Sequence, residues 1–280
     1  MSETATTVEI RNAIGITVDQ LAADITRCFE DYVIPANTTP ELFSSKLRMD
    51  AIDMVNTLLA YQGDEMVGIL MICRRDAVAR VGAMAIAKPL RRQGVGKILM
   101  QRAVEDAKGR GDKQLVLEAI SSNAPAIAFY EGFGFRTVFS LLGFRKKLGT
   151  EASQTRIRPV GLDEVVAIVS KRPRGTQSWE TASATVGNMA NPATAYAVDD
   201  LAVVVQPIGE EFLLCRGLAR SGNDDEAKLN EMITGLAGIY PGRTLRLPPF
   251  FPEGEYRELA LACGLEIDPL SQVQMELELR

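Results

Sequence analysis

Three groups of residues in this sequence have side chains suited to chemistry. The stretch Arg91-Arg92-Gln93-Gly94-Val95-Gly96-Lys97 combines bases with two closely spaced glycines, Tyr130 supplies a hydroxyl, and Glu118 supplies a carboxylate. The chain has no histidine. That removes Ser-His-Asp and Cys-His catalysis and every His-ligated metal site. A general base must then be Glu, Asp, Tyr, water or a main-chain group. The four cysteines, Cys28, Cys73, Cys215 and Cys263, lie far apart and form no Cys-x-x-Cys pair. This argues against a zinc site and a disulfide framework, and each reads as a small core residue. No metal is expected.

The elements around the glycines decide what they can bind. The apolar run Val81–Ala87 leads into them, and Val95, Ile98, Leu99, Ala103, Val104 and Ala107 follow at helical spacing. The order predicts strand, tight turn, helix. Glycine lets the backbone approach a ligand closely, and a helix start points unpaired N–H groups outward. Together they suit a pyrophosphate; without a ligand the same order is an ordinary strand–helix turn. Two other phosphate loops are excluded. The nucleotide P-loop needs Gly and Ser/Thr where Arg91 and Ile98 stand, and the dinucleotide fingerprint needs Gly where Leu99 stands.

What remains, Arg91-x-x-Gly94-x-Gly96, resembles the acetyl-CoA pyrophosphate loop of the GCN5-related N-acetyltransferases (GNAT family). A second stretch carries the same resemblance. Gln114–Ile120 reads as a strand, followed by Asn123-Ala-Pro125-Ala126-Ile-Ala-Phe129-Tyr130 and then Gly132-Phe-Gly134-Phe135. The resemblance covers about residues 7 to 148. It implies an α+β fold and acetyl transfer from acetyl-CoA to a primary amine, small-molecule or protein, by direct attack in a ternary complex. It places Arg91, Arg92, Gln93, Gly94, Val95, Gly96 and Lys97 on the pyrophosphate. The main chain of Ala85 and Ile86 would pair with the pantetheine arm, one N–H serving the thioester oxygen as it gains charge. Tyr130 becomes the acid for the departing thiolate, or else a packed aromatic. Asn123 holds the cofactor arm, caps the next helix, or both. Glu118 is the leading carboxylate for the base, its alternative being a salt-bridged structural residue. Tyr32, Glu30 and Asp31 fall in a loop, residues 30 to 40, that either walls the acceptor site or is simply solvated.

Length and composition set the bounds. The chain has 280 residues, 46% hydrophobic and 24% charged, with net charge −5, as in a soluble globular protein of one or two domains. Overall charge gives nucleic-acid binding no support. No apolar run is long enough to span a bilayer, and the first residues lack the basic start and apolar core of a secretion signal. A cytoplasmic monomer or homodimer is expected.

Beyond a linker at 149–154 the chain begins again. Thr155-Arg-Ile-Arg resembles Val8-Glu-Ile-Arg, and a three-strand meander recurs near 194–218. Thereafter the halves align without a gap at an offset of 130 residues, which implies two domains of the same fold, 1–148 and 155–280. Each is expected to be a mostly antiparallel sheet flanked by helices. In the second copy Asp224, Asp225 and Glu226 replace Gly94, Val95 and Gly96, while Pro248, Glu253 and Ala260 replace Glu118, Asn123 and Tyr130. Acids at a helix start stabilise the helix but repel a pyrophosphate. The second copy therefore keeps the pattern and loses the chemistry. Two other readings of the chain stand beside the enzyme: a non-catalytic acyl-CoA-binding regulatory module, and an interaction module using Pro248-Pro249-Phe250-Phe251-Pro252.

Overall fold

The computed structural model describes residues 8–32, 38–151, 154–172, 177–189, 193–220 and 225–280. The loop positions 33–37 and Asp224 lie outside the described residues. The chain packs as two compact units. One runs to Glu118 and takes in Ala128–Arg136 and Met275–Arg280; the other holds Ala119–Ile127 and Thr137–Gln274.

The first unit opens with β1 (Glu9–Asn12), α1 (Val18–Cys28) and α2 (Pro40–Met49). Both helices start where a hydroxyl can cap them: Thr17 accepts from Gln20 N–H and Thr39 from Leu42 N–H, with Pro40 in the first turn. Such caps satisfy donors that the helix cannot. Then come β2 (Leu58–Gln62), β3 (Glu65–Arg75) and β4 (Val78–Ile86). Gly63 and Asp76, both with positive φ, turn the chain between these strands. Strands β1 to β4 pair antiparallel in sequence order. Next, α3 (Val95–Arg110) crosses over to β5 (Gln114–Ile120), which pairs parallel with β4. Helix α3 lies on β2, β3 and β4 and buries Leu99, Met100, Ala103 and Ala107 there. The approach is close because of Gly68, where a Cβ would come within 2.8 Å of Ile86 Cδ1 and 3.4 Å of Leu99 Cδ1. Helix α1 packs on β3 and β4 through Leu21, Ile25 and Cys28. Helix α4 (Ala124–Glu131) follows β5.

The second unit contains β6 (Arg136–Lys147), β7 (Arg158–Val160), α5 (Leu162–Val169), α6 (Ser183–Gly187), β8 (Thr194–Val198), β9 (Leu201–Ile208) and β10 (Phe212–Arg220). It continues with α7 (Asp225–Ile239), β11 (Thr244–Pro252), α8 (Glu253–Ala262) and β12 (Glu266–Glu278). Its strand order is β12-β6-β11-β10-β9-β8-β7. The repeat is plain. Strands β10 and β11 are parallel and joined by α7, as β4 and β5 are joined by α3. Helix α7 begins at 225 against 95 for α3, and β11 at 244 against 114 for β5, which is the offset read from sequence.

Two expectations are corrected. Residues 136–147, which by sequence alone read as a final hairpin, form one strand, β6, which pairs antiparallel with β11 from Thr244↔Lys147 to Leu247↔Phe144. A strand that closes the first copy in sequence thus lies beside the second copy's β11. The compact units consequently divide the chain elsewhere than at 149–154. The Pro248–Pro252 segment belongs to β11, with Pro252 and Phe251 buried and the latter at 0% exposure, because its side chains alternate into the core. It is not an exposed docking motif. All four cysteines are free and buried. No helix among the described residues is long and apolar enough to cross a membrane.

Candidate functional site

Strand β4 is bonded along one edge to β3, up to Ile69↔Ala85 and Gly68↔Ile86. Along its other edge the register with β5 runs only from Val78↔Gln114 to Val81↔Leu117. Beyond Val81 that edge has no β5 partner. Successive residues of a strand present their N–H and C=O groups to alternate edges, so Ala85 and Ile86 include a residue whose main chain faces away from β3. A ligand arm can pair there as a strand does.

The chain then turns through a 3-10 segment, Lys88–Leu90, toward α3. Arg92 and Gly94 both have positive φ, 64° and 85°. For a non-glycine residue this conformation costs roughly 1–3 kcal/mol and is held only where the surroundings enforce it. Gly94 is the N-cap of α3; no side chain bonds to the exposed helix start, and the first turn carries no acid. The N–H groups at this helix start therefore lack intrahelical acceptors. A Cβ at Gly96 would lie 3.1 Å from Met84 Cε, so glycine here keeps the main chain close to β4. Arg92 and Lys97 are exposed beside the turn. The Gln93 side chain donates to Pro89 O at 2.7 Å. The Arg91 guanidinium sits on main-chain carbonyls: Nε donates to Ile86 O at 2.9 Å and Nη2 to Glu30 O at 2.6 Å.

Tyr130 lies on α4 with its ring edge-on to Phe129 and Phe135, centroids 5.4 and 5.9 Å apart. Burial, reinforced by neighbouring Tyr32, pushes its hydroxyl above the ordinary phenol range. Tyr130 thus stays protonated at neutral pH. Tyr32 in turn stands edge-on to Phe29 at 5.3 Å. The loop residue that sequence placed on the acceptor wall and the proposed acid are thus neighbours. Asp31 beside Tyr32 bonds Lys88 at 2.6 Å, and this bond holds the Asp31 carboxyl below its usual range.

Glu118 lies in a buried ion pair. Arg80 Nε and Nη2 both reach its Oε2 at 2.7 Å, and the two side chains are 7% and 3% exposed. Protonating Glu118 would remove the negative charge from this buried pair, which a base role would have to offset. Sequence reasoning missed Arg80. The available signal was an arginine inside the apolar run Val78-Ala79-Arg80-Val81, on the strand neighbouring Glu118. Asn123 caps α4, its Oδ1 accepting from Ala126 N–H at 3.3 Å. The structure therefore brings Ala85, Ile86, Arg91 to Lys97, Tyr130 and Tyr32 into one unit. Asn123 belongs to the other compact unit.

At the corresponding place in the second copy, sequence found the acids but not their partners. Four residues separate β10 from α7, against eight between β4 and α3. Asp225, in the first turn of α7, is 1% exposed and bonds Arg220 at 2.8 Å. Arg220 and Arg172 both bond Glu255, and both guanidinium groups lie over the Tyr256 ring, at 5.2 and 5.3 Å. Tyr256 donates to Leu218 O at 3.2 Å, on the stretch of β10 past its last β11 pair, Leu214↔Arg246.

Comparison with known proteins adds the following. Residues 19–135 match the profile described as "Acetyltransferase (GNAT) family". N-alpha-acetyltransferase 30 of Schizosaccharomyces pombe is 32% identical over 85 residues, 28% of this chain and 56% of that protein. The ribosomal protein bS18-alanine N-acetyltransferase of Escherichia coli is 40% identical over 52 residues, 19% of this chain and 35% of that protein. The chain thus spans about half or less of the length of these relatives. Among solved structures, a tandem GNAT protein from the clavulanic acid biosynthesis pathway superposes with TM-score 0.67 at 18% identity, covering 98% of this chain and 99% of that one. A GCN5-related N-acetyltransferase from Sphaerobacter thermophilus gives 0.64 at 16%, covering 98% and 96%. At these identities the structures show the fold, and they show it over both copies.

Proposed function

The chain belongs, through residues 19–135, to the GNAT acetyltransferase family, and on that premise we propose that it transfers acetyl from acetyl-CoA to a primary amine. One observation carries the reading. A left-handed Gly94 opens α3 with no acid in its first turn, next to a β4 edge that β5 leaves unpaired. The first feature fits a pyrophosphate and the second an extended pantetheine arm. When bound, acetyl-CoA supplies the activated thioester.

The residues then divide the work. Main-chain N–H groups at the start of α3, from Gly94 to Lys97, receive the diphosphate, with Arg92 and Lys97 adding positive charge. A β4 N–H at Ala85 or Ile86 stabilises the thioester oxygen as the amine attacks. The new C–N bond forms as the C–S bond breaks, and the sulfur leaves as a thiolate. Tyr130 donates its hydroxyl hydrogen toward that sulfur. An ordinary phenol lies about 1.5 pKa units above a thiol, so complete transfer is uphill by about 2 kcal/mol. Burial of Tyr130 makes it more so. Tyr130 therefore serves the leaving group as a hydrogen-bond donor, and the amine's proton goes to solvent water in the same turnover. Glu118, a candidate base by sequence, is assigned to holding Arg80.

The names of two relatives, an N-alpha-acetyltransferase and a ribosomal-protein alanine N-acetyltransferase, make peptides with a free α-amine the first acceptors to try. The test is release of free CoA from acetyl-CoA by the full chain, with such peptides and a panel of small primary amines. CoA binding without turnover on any amine would instead favour the non-catalytic acyl-CoA-binding module.

A further inference from the structure

We infer that Arg91 is a positioning residue, whose guanidinium holds the turn carrying Tyr32 against the end of β4. The inference rests on the acetyl-CoA reading, because only there does the place of Tyr32 beside Tyr130 matter to a reaction. Helix α1 ends at Cys28, with Phe29 as its C-cap. The last carbonyls of a helix lack intrahelical donors, and a cation there also meets the negative end of the helix dipole. Arg91 supplies both. Its Nη2 donates to Glu30 O at 2.6 Å and lies 3.5 Å from Cys28 O, while Nε donates to Ile86 O at 2.9 Å. One planar fork thus joins the end of α1 to the last residue of β4, the strand assigned to the pantetheine arm.

What the fork holds is specific. Asp31 turns the chain in the left-handed region, φ 61°. Tyr32 N–H then donates back to Phe29 O at 3.0 Å, which fixes Tyr32 at the end of α1, where it acts electrostatically on Tyr130. The second tie, Lys88 to Asp31, joins side chains 68% and 56% exposed, and an exposed pair of this kind holds a loop weakly. Arg91 is therefore the principal tie. Lysine cannot replace it, since one ammonium on a flexible stem lacks the rigid fork that spans two carbonyls. A reacting group misplaced by about 1 Å can lose about 100-fold in rate, so the effect should fall on the acceptor and not on CoA.

The test uses the full chain and the Arg91→Lys and Arg91→Ala variants. CoA titration calorimetry should give affinities within about threefold of wild type. Amide hydrogen exchange at residues 29–32 should quicken at least tenfold, with the middle of α1 unchanged. For an amine that wild type turns over, KM for the amine should rise at least tenfold while KM for acetyl-CoA stays within about threefold. Millimolar guanidinium should partly restore Arg91→Ala, and ammonium should not. If Arg91→Lys instead loses CoA as Gly94→Glu is expected to, Arg91 is a phosphate ligand and the inference falls while the acetyl-CoA reading stands. Unchanged exchange at residues 29–32 overturns the inference in the same way. If wild type binds no CoA, both fall together.

Discussion

The helix starts of α3 and α7 stand at equivalent places in two copies of one fold and have been resolved in opposite ways. At α3, glycine leaves the N–H groups uncovered and the first turn has no acid. At α7, Asp225 is drawn inside and paired with Arg220. The parting of the strands survives in both copies, past Val81 in β4 and past Leu214 in β10. In the second, Tyr256 donates to Leu218 O within that stretch and Glu255 anchors two arginines. The equivalent first-copy residues are Ala126 and Pro125, which cannot do either. A helix start is an anion site only if the protein does not supply the anion itself. At the start of α7 the protein places Asp225 against Arg220, and Glu255 against Arg220 and Arg172.

The sharpest way to break this contrast is to give the first copy the second copy's acid. Gly94→Glu should abolish CoA binding in calorimetry, an affinity loss of at least about 100-fold. It places both a Cβ at a left-handed φ and a negative charge where the diphosphate lies. The fold should survive, because Gly94 is exposed and a Cβ there meets nothing within 4 Å. CoA binding undiminished in this variant would sink the assignment of the site.

The reverse experiment attacks the second copy. Arg220→Met leaves Asp225 buried without its cation, and removing one partner of a buried pair costs about 3–5 kcal/mol. Urea unfolding should register that loss while the CoA affinity of the folded protein stays at the wild-type value. A variant as stable as wild type would show that the network is not what stabilises the second copy.

Tyr130→Phe comes next. Turnover should fall by about 100-fold, the lower range for a lost hydrogen-bond donor to developing charge, with CoA affinity retained. Its counterpart in the second copy is already Ala260, so an unaffected rate would erase the chemical distinction drawn at that position.

The smallest effect concerns pH. Burial raises the Cys28 thiol to about 11 and the Cys215 thiol to about 12, against about 8.5 in an unfolded chain. The folded state favours the neutral thiols. Their contribution is complete below about pH 8.5 and is lost as pH rises through 11, at no more than about 1.4 kcal/mol per group per pH unit. Urea midpoints measured from pH 8 to pH 10.5 should decline, and the Cys263 thiol, also raised by burial to about 11, adds to the slope. Replacing Cys28 and Cys215 together by Ala should lessen the slope and leave the share of Cys263.

Much of the chain's order of strands and helices was legible, because those elements carry a local signal. Thr17 and Thr39 cap helices that begin at the next residue. The apolar runs of β2, β3 and β4 are bounded by turn residues, and the 130-residue offset matches α7 against α3 and β11 against β5. The glycine turn was legible for the same reason, since a left-handed N-cap without an acid is a matter of residue type and backbone alone. Sequence also determined that no histidine acts and that the second copy carries acids where the first carries glycines.

Only tertiary structure decided what each guanidinium meets. Arg80 and Glu118 are 38 residues apart, Arg91 and Glu30 are 61 apart, and Arg172 and Glu255 are 83 apart. No local spacing encodes such pairings. It was likewise the alternation of β11 into the core that buried Phe251, and cross-strand pairing that set β6 beside β11. Propensity and capping act between neighbours along the chain, and so they can be read one segment at a time. The partner of a guanidinium depends on which strands lie side by side, and that is settled by burying one shared core.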